Sequence, residues 1–264
     1  MTRVAETPTY TDDRSVAPLG GFNSTLLRIE FRRLTRNRRT MIFTLIMPVV
    51  FYLVFGLGQG NEDHGIEHGN VAAYIMISMA LYGAMLATTS GGAMVSIERA
   101  SGWSRQLRLT PLTPVAYIVV KLIMAMTLGL ISILVVYLAG SFTGAQMDGS
   151  LWFTTALIAW LGSAIFAAFG LFMGYLLPSE NVMQLLGPGL ALLAFGGGLF
   201  VPLQDGSVWA TIAQFTPMFG INALAHAPLT GNSLHWTWIA NILVWFAIFA
   251  VGAVWRFQRD TERV

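Results

Sequence analysis

The sequence predicts an all-α membrane protein: six transmembrane helices, preceded by an amphipathic interfacial helix and interrupted by one short polar helix between the second and third spans. Three observations carry this prediction. Hydrophobic residues make up 55% of the 264 residues and charged residues only 11%, with a mean hydropathy of +0.64, outside the range of an ordinary soluble domain. The apolar residues arrive in blocks of about the length, roughly 17–25 residues, that crosses a ~30 Å hydrocarbon layer. All 15 basic residues fall on one side of those blocks.

Residues 1–21 mix Pro, Thr, Asp and Arg without apolar periodicity and read as a disordered cytoplasmic lead. From 22 to 39 the character changes. At about 100° per residue, Phe22, Leu26, Leu27, Ile29, Phe31 and Leu34 share one side, and Arg28, Arg32 and Arg36 form an i, i+4 stripe on the other. That pattern suits an interfacial helix, either an anchor on anionic lipid or a surface on which a cytoplasmic partner sits.

The membrane domain is expected over 40–258, with spans near 41–57, 71–95, 115–139, 151–177, 184–200 and 236–257, and a cytoplasmic tail at 259–264. The first block starts too far from Met1, and without a small-residue cleavage pattern, to read as a removable signal peptide. Six crossings put both termini on one side. Cationic segments stay cytoplasmic, and eight arginines precede the first span, Arg99, Arg105 and Arg108 lie between the second and third, and Arg256, Arg259 and Arg263 follow the sixth. Lys121 sits near the inner end of the third span, where snorkelling to the interface is expected. The opposite connections carry Glu62, Asp63, Glu67, Asp148 and Asp205 and no cation, and Trp152, Trp236 and Trp238 suit an outer aromatic belt.

Between the second and third spans, 96–114 interrupts two apolar blocks with charges, a glycine and two prolines. Gly102 permits a change of direction, 103–109 can make about two helical turns, and Pro111 and Pro114 end it. Topology alone accounts for the arginines, but not for Glu98, Trp103 and the fixed Gly and Pro positions. Further along, Gly187, Pro188, Gly189 and the run 196–198 break helix regularity, which at membrane depth is tolerated against protein or a water-lined cavity. Close helix packing through small residues is the alternative.

Several chemistries are excluded. There is no cysteine, hence no disulfide and no thiolate ligand or nucleophile. No Gly-x-x-x-x-Gly-Lys-Ser/Thr phosphate loop is present, and no catalytic residue is assigned. His64 and His68, with Glu62, Asp63 and Glu67, read as a solvated loop in preference to a metal site, and no metal is expected. His226 and His235 read as interfacial polar groups. No span has a central Asp, Glu or His, which argues against ion coupling through this chain, and an ATP-independent secondary carrier or channel is kept as the alternative reading.

Glu98, Arg99, Gly102, Leu107, Thr110, Pro111, Leu112 and Pro114, following the second span, resemble the coupling segment of the ABC type-2 permease family, which includes daunorubicin-type drug and antibiotic exporters. The family carries a second acidic or polar residue where Ala100 stands. Residues 177–181 (Leu-Pro-Ser-Glu-Asn) resemble its turn before the fifth helix, and 196–202, Pro217 and 222–224 its glycine, proline and polar stretch before the sixth. The resemblance runs from about Phe22 to the C-terminus. It implies a multi-pass permease of the bacterial inner membrane, exporting a hydrophobic or amphipathic drug, antibiotic, lipid or glycolipid, with a re-entrant outer hairpin between helices 5 and 6. It further implies two copies of a cytoplasmic ATPase that hold ATP and Mg, a second permease chain read as identical, no cofactor in this chain and no nucleic-acid partner. The ATPase-coupling residues would be Arg28, Arg32, Arg36, Glu98, Arg99, Gly102, Trp103, Arg105 and Leu107. The pathway candidates are Phe51, Tyr52, Phe55, Met79, Tyr82, Met85, Asn181, Gln184, Phe195 and Phe200, large aromatic, Met and polar groups on the first, second and fifth helices.

Overall fold

A computed structural model of the chain describes residues 24–36, 38–57, 66–102, 113–203 and 206–262. The expected disordered lead at 1–21, the start of the interfacial helix at Phe22, and the polar segment 103–112 lie outside the described residues. Ten helices follow in order among the described residues: α1 (Ser24–Arg36), α2 (Arg38–Gly56), α3 (Val71–Ala100), α4 (Pro114–Phe142), α5 (Gly149–Gly162), α6 (Ala164–Leu176), α7 (Ser179–Gly196), α8 (Val208–Ala213), α9 (Pro217–Thr230) and α10 (Trp236–Glu262). The described residues contain no strand beyond one isolated antiparallel bridge, Gly69 to Met147.

Among the described residues, four helical stretches are long and apolar enough to cross a bilayer: Val71–Ala100, Val115–Phe142, Gly149–Leu176 and Trp236–Arg259. Met41–Gly56 is a shorter apolar helix. The expected fifth crossing corresponds to α7, whose 18 residues include Glu180, Asn181, Gln184 and Pro188. Those polar groups at its start shorten its apolar run, so it is not among the four.

At the centre stands α3, packed on α2, α4, α6 and α7, and it is built for close approach. A Cβ on Gly92 would stand 2.6 Å from the Ala167 carbonyl oxygen and 2.7 Å from the Leu171 nitrogen of α6. Gly170 of α6 faces Thr89 backbone in the same way. Small residues thus let two backbones meet where apolar side chains gain little over lipid. Asn70 starts α3, its side chain accepting from the Ala73 N–H at 2.9 Å and the Gln146 N–H at 3.0 Å, and donating to the Gly144 carbonyl at 2.8 Å. One asparagine therefore caps α3 and fixes the loop after α4.

The α2 helix carries Pro48 internally. Proline has no N–H, which frees the carbonyl four residues back, and Ser132 of α4 donates to that Thr44 carbonyl at 3.1 Å. Gly83 of α3 leaves the room this needs, because a Cβ there would lie 2.8 Å from Pro48 Cγ and closer still to Ser132 Oγ.

The fourth expected span is two helices, α5 and α6, joined at Ser163, whose hydroxyl donates to the Trp160 carbonyl at 2.6 Å. Between α7 and α10 the chain forms α8 and α9, and α9 packs on α5, α3, α7 and α10. His226 differs from its expected place at an interface. It is buried, with Nδ1 2.9 Å from the Asn222 carbonyl and Nε2 3.1 Å from Ser78 Oγ, because α9 lies against α3 and the ring fills a polar gap between them. His68, expected in a solvated loop, lies 3.3 Å from Asp148, and its backbone N–H donates to the Leu229 carbonyl. His64, Glu62 and Asp63 lie outside the described residues.

Candidate functional site

Two groups of candidate residues emerge. The first lies where α1, the C-terminal end of α3 and the N-terminal end of α4 meet. Thr113 caps α4, accepting from the Ala116 N–H, and Pro114 takes the first helical position, where its missing N–H is harmless. That start places Tyr117 and Lys121 one turn apart on one face.

Glu98, in the last turn of α3, is 2% exposed. Its carboxylate lies 2.5 Å from Lys121 Nζ and 3.0 Å from Arg33 Nη1, and it accepts a short hydrogen bond from the Tyr117 hydroxyl. Lys121 Nζ also lies 2.7 Å from Glu30 of α1. Lys121 and Glu30 are themselves 3% and 5% exposed. Lys121 therefore does not snorkel as expected: two carboxylates replace its water inside the protein. Among the described residues, two carboxylates and two cations cancel here, so these four side chains are formally neutral together.

The neighbouring Arg99 turns the other way. Its guanidinium donates to the Gly174 and Tyr175 carbonyls at 3.2 and 3.0 Å and lies 5.7 Å from the Tyr175 ring centroid, satisfying carbonyls at the end of α6. Gly102 then adopts φ +73°, so the chain turns at the residue that makes a left-handed conformation inexpensive. Arg28, Arg32 and Arg36 are exposed on α1. Trp103, Arg105 and Leu107 lie outside the described residues.

Glu30, Arg33, Tyr117 and Lys121 were not among the candidates on sequence grounds. A signal existed for Glu30, which lies three residues after Leu27 and four before Leu34, within the apolar side of α1. A carboxylate there needs a buried cation, and the chain has a single lysine to offer.

The second group is a run of rings across α2, α3 and the end of α7. Phe55 meets Phe51 at 6.2 Å between centroids, Phe51 meets Tyr82 at 6.2 Å, Tyr82 meets Phe200 at 5.1 Å, and Phe200 meets Phe195 at 4.7 Å. These separations lie in the range of favourable aromatic pairs. Five pathway candidates are thus contiguous, and Phe55 and Phe195 at the two ends are exposed. The other five are dispersed. Tyr52, Met79 and Met85 are buried in the helix core, with Tyr52 Oη 3.0 Å from Thr143 Oγ1. Asn181 and Gln184 are exposed near the start of α7.

On α7, Asn181, Gln184, Leu185, Pro188, Leu192 and Phe195 form one exposed stripe, and Val182, Leu186, Leu190 and Ala194 form the buried one. The exposed stripe leads from the polar start of α7 to the ring at the end of the aromatic run. No set of three or more Asp, Glu, His or Cys side chains among the described residues is placed to hold a metal ion.

Residues 23–226 match the family model for the ABC-2 type transporter. The chain is also 28% identical over 224 residues, 83% of its own length and 90% of the other's, to a Bacillus subtilis (strain 168) protein named "Putative transport permease YvfS".

Proposed function

From a chain that belongs to the ABC-2 type transporter family, and is thus the membrane subunit of a transporter, we propose an exporter driven by a separate ATPase. In this proposal two permease chains, identical to one another, bind two cytoplasmic ATP-binding-cassette subunits that hold ATP and Mg. All chemistry belongs to those partners. The chain lies in the bacterial inner membrane with both termini cytoplasmic and α2, α3, α4, α5 with α6, α7 and α10 as six crossings. The connection through α8 and α9 is a re-entrant outer hairpin, a placement supported by the apolar, exposed Val208, Trp209, Ile212 and Phe215, which suit lipid better than water.

One observation carries the coupling role. The end of α3 that leads into 103–112 is held on two sides, by Glu98 toward α1 and α4 and by Arg99 toward α6. A push on that segment is delivered to a braced helix bundle. The exposed stripe Arg28, Arg32 and Arg36 is offered to the ATPase, and Trp103, Arg105 and Leu107 are assigned to the same partner on the family resemblance alone. Cargo is hydrophobic or amphipathic, such as a drug, antibiotic, lipid or glycolipid, and moves along the aromatic run and the α7 stripe between two permease chains. Large rings accommodate such cargo without demanding a fixed hydrogen-bond pattern.

Co-expression with a candidate ATP-binding-cassette ATPase from the same organism, followed by affinity purification in detergent, tests the proposal. Wild-type permease retains the ATPase, and Trp103→Ala releases it while eluting at the same size-exclusion volume as the wild-type permease. Wild-type permease that retains no ATPase contradicts the proposal and favours a carrier or channel working alone.

A further inference from the structure

We infer that Glu30, Arg33, Glu98 and Lys121 form a charge-neutral clasp that makes α1, the end of α3 and the start of α4 move as one body, and that these four are positioning residues. The inference rests on the coupling role proposed above and changes the part played by Glu98, which would act through its neighbours and not by touching the ATPase.

The four residues come from three helices and from sequence positions 91 residues apart at the extremes, so no local structure holds them together. Glu30, Glu98 and Lys121 are all buried. Lys121 bridges both carboxylates, at 2.7 and 2.5 Å, while Arg33 adds a second cation to Glu98 at 3.0 Å. Tyr117, one turn before Lys121, supplies a hydroxyl to the other Glu98 oxygen.

A cluster of this kind opens all at once or not at all. Withdrawing α1 would take Glu30 and Arg33 together, leaving Lys121 and Glu98 with fewer partners in a medium that solvates charge poorly. An apolar contact in the same place would allow α1 to slide by a rotamer change. The clasp also sits at a useful point, since Glu98 lies four residues before Gly102, where the chain turns into the polar segment. Displacement of the end of α3 therefore reaches α1 and α4 together, and the exposed arginines of α1 keep their position relative to that end.

The absence of cysteine makes a direct measurement simple. Spin labels on Ile29→Cys of α1 and Val119→Cys of α4, both exposed, report their separation by pulsed electron resonance in lipid nanodiscs. With labelled chains diluted by unlabelled permease so that intrachain pairs dominate, the expected result is one narrow distance distribution that shifts by less than about 2 Å, the scale of small helix adjustments, between nucleotide-free and ATP-bound complexes. Lys121→Met leaves two carboxylates against one cation, and the distribution broadens. Glu30→Gln with Lys121→Met restores neutrality, so the permease level recovers to within about twofold of wild type. In that double variant the distance remains broad, the ATPase still co-purifies and stimulation of ATP turnover by the permease is lost.

A narrow, unchanged distance in Lys121→Met, or a wild-type distance that changes with nucleotide by more than the stated shift, overturns the clasp. Wild-type permease that retains no ATPase overturns the coupling role instead, and the permease-only distributions of wild type and Lys121→Met then still decide whether the four charges hold α1 in place.

Discussion

Ser132 of α4 donates its hydroxyl hydrogen to the Thr44 carbonyl of α2 at 3.1 Å, the carbonyl that Pro48 leaves without its helical partner. The bond ties a proline in the first apolar helix to the wall it packs on. Ser132→Ala should lower stability by about 1 kcal/mol, the scale of interhelical hydrogen bonds in membranes. In a Pro48→Ala background the restored backbone N–H can take over the Thr44 carbonyl, and the same Ser132→Ala change should then have a smaller effect. Denaturation of the four proteins in detergent micelles measures this coupling as a double-mutant cycle.

Gly92 and Gly170 place the backbones of α3 and α6 in direct approach. Gly92→Val should prevent that approach and abolish folded permease, read as loss of a monodisperse size-exclusion peak. Gly187→Val should leave the peak intact, since among the described residues no heavy atom beyond its own helix backbone and chain neighbours lies within 4 Å of a Cβ built at Gly187.

The aromatic run separates two roles among the pathway candidates. Phe195→Ala removes an exposed ring at the end of the run, so folded protein should stay near the wild-type level while relative export of a panel of amphipathic dyes changes. Met85→Ala removes a fully buried side chain and should destabilise by about 2–5 kcal/mol, lowering export of every dye in parallel with protein level. Whole-cell dye efflux normalised to membrane protein level distinguishes the two.

Arg99 joins the end of α3 to the end of α6 through the Gly174 and Tyr175 carbonyls. Arg99→Lys keeps the charge but loses the planar fork that reaches both carbonyls. It should lower thermal stability measurably and retain the ATPase, whereas Trp103→Ala should do the reverse. Thermal shift and co-purification on the same preparations check both outcomes.

Much of the helical order was legible in the sequence because apolar blocks of bilayer length leave the backbone little choice but helix. Gly102 and Pro114 were legible for the same kind of reason: their backbone preferences are local, and the chain turns at one and starts α4 at the other. The break at Ser163 was not, because Ser163 lies inside an uninterrupted apolar run and its hydroxyl bond to the Trp160 carbonyl is one that serine also makes within unbroken helices. The burial of Lys121 was also hidden. A lone lysine near the end of a span ordinarily snorkels, and what holds it inside is Glu98 together with Glu30, 23 and 91 positions away. His226 follows the same logic, its partners Ser78 and Tyr74 being brought to it by α3. Local preference was readable, and charge pairing between distant helices was not.

We propose that this chain transmits work between a cargo route and a separate ATPase. The most direct measurement is ATP turnover by the proposed partner ATPase, alone and in complex with the permease in lipid nanodiscs. Turnover should rise on complex formation and return to the level of the isolated ATPase when the permease carries Trp103→Ala. Turnover that is unchanged by the wild-type permease, with both proteins folded and present together, would contradict the account.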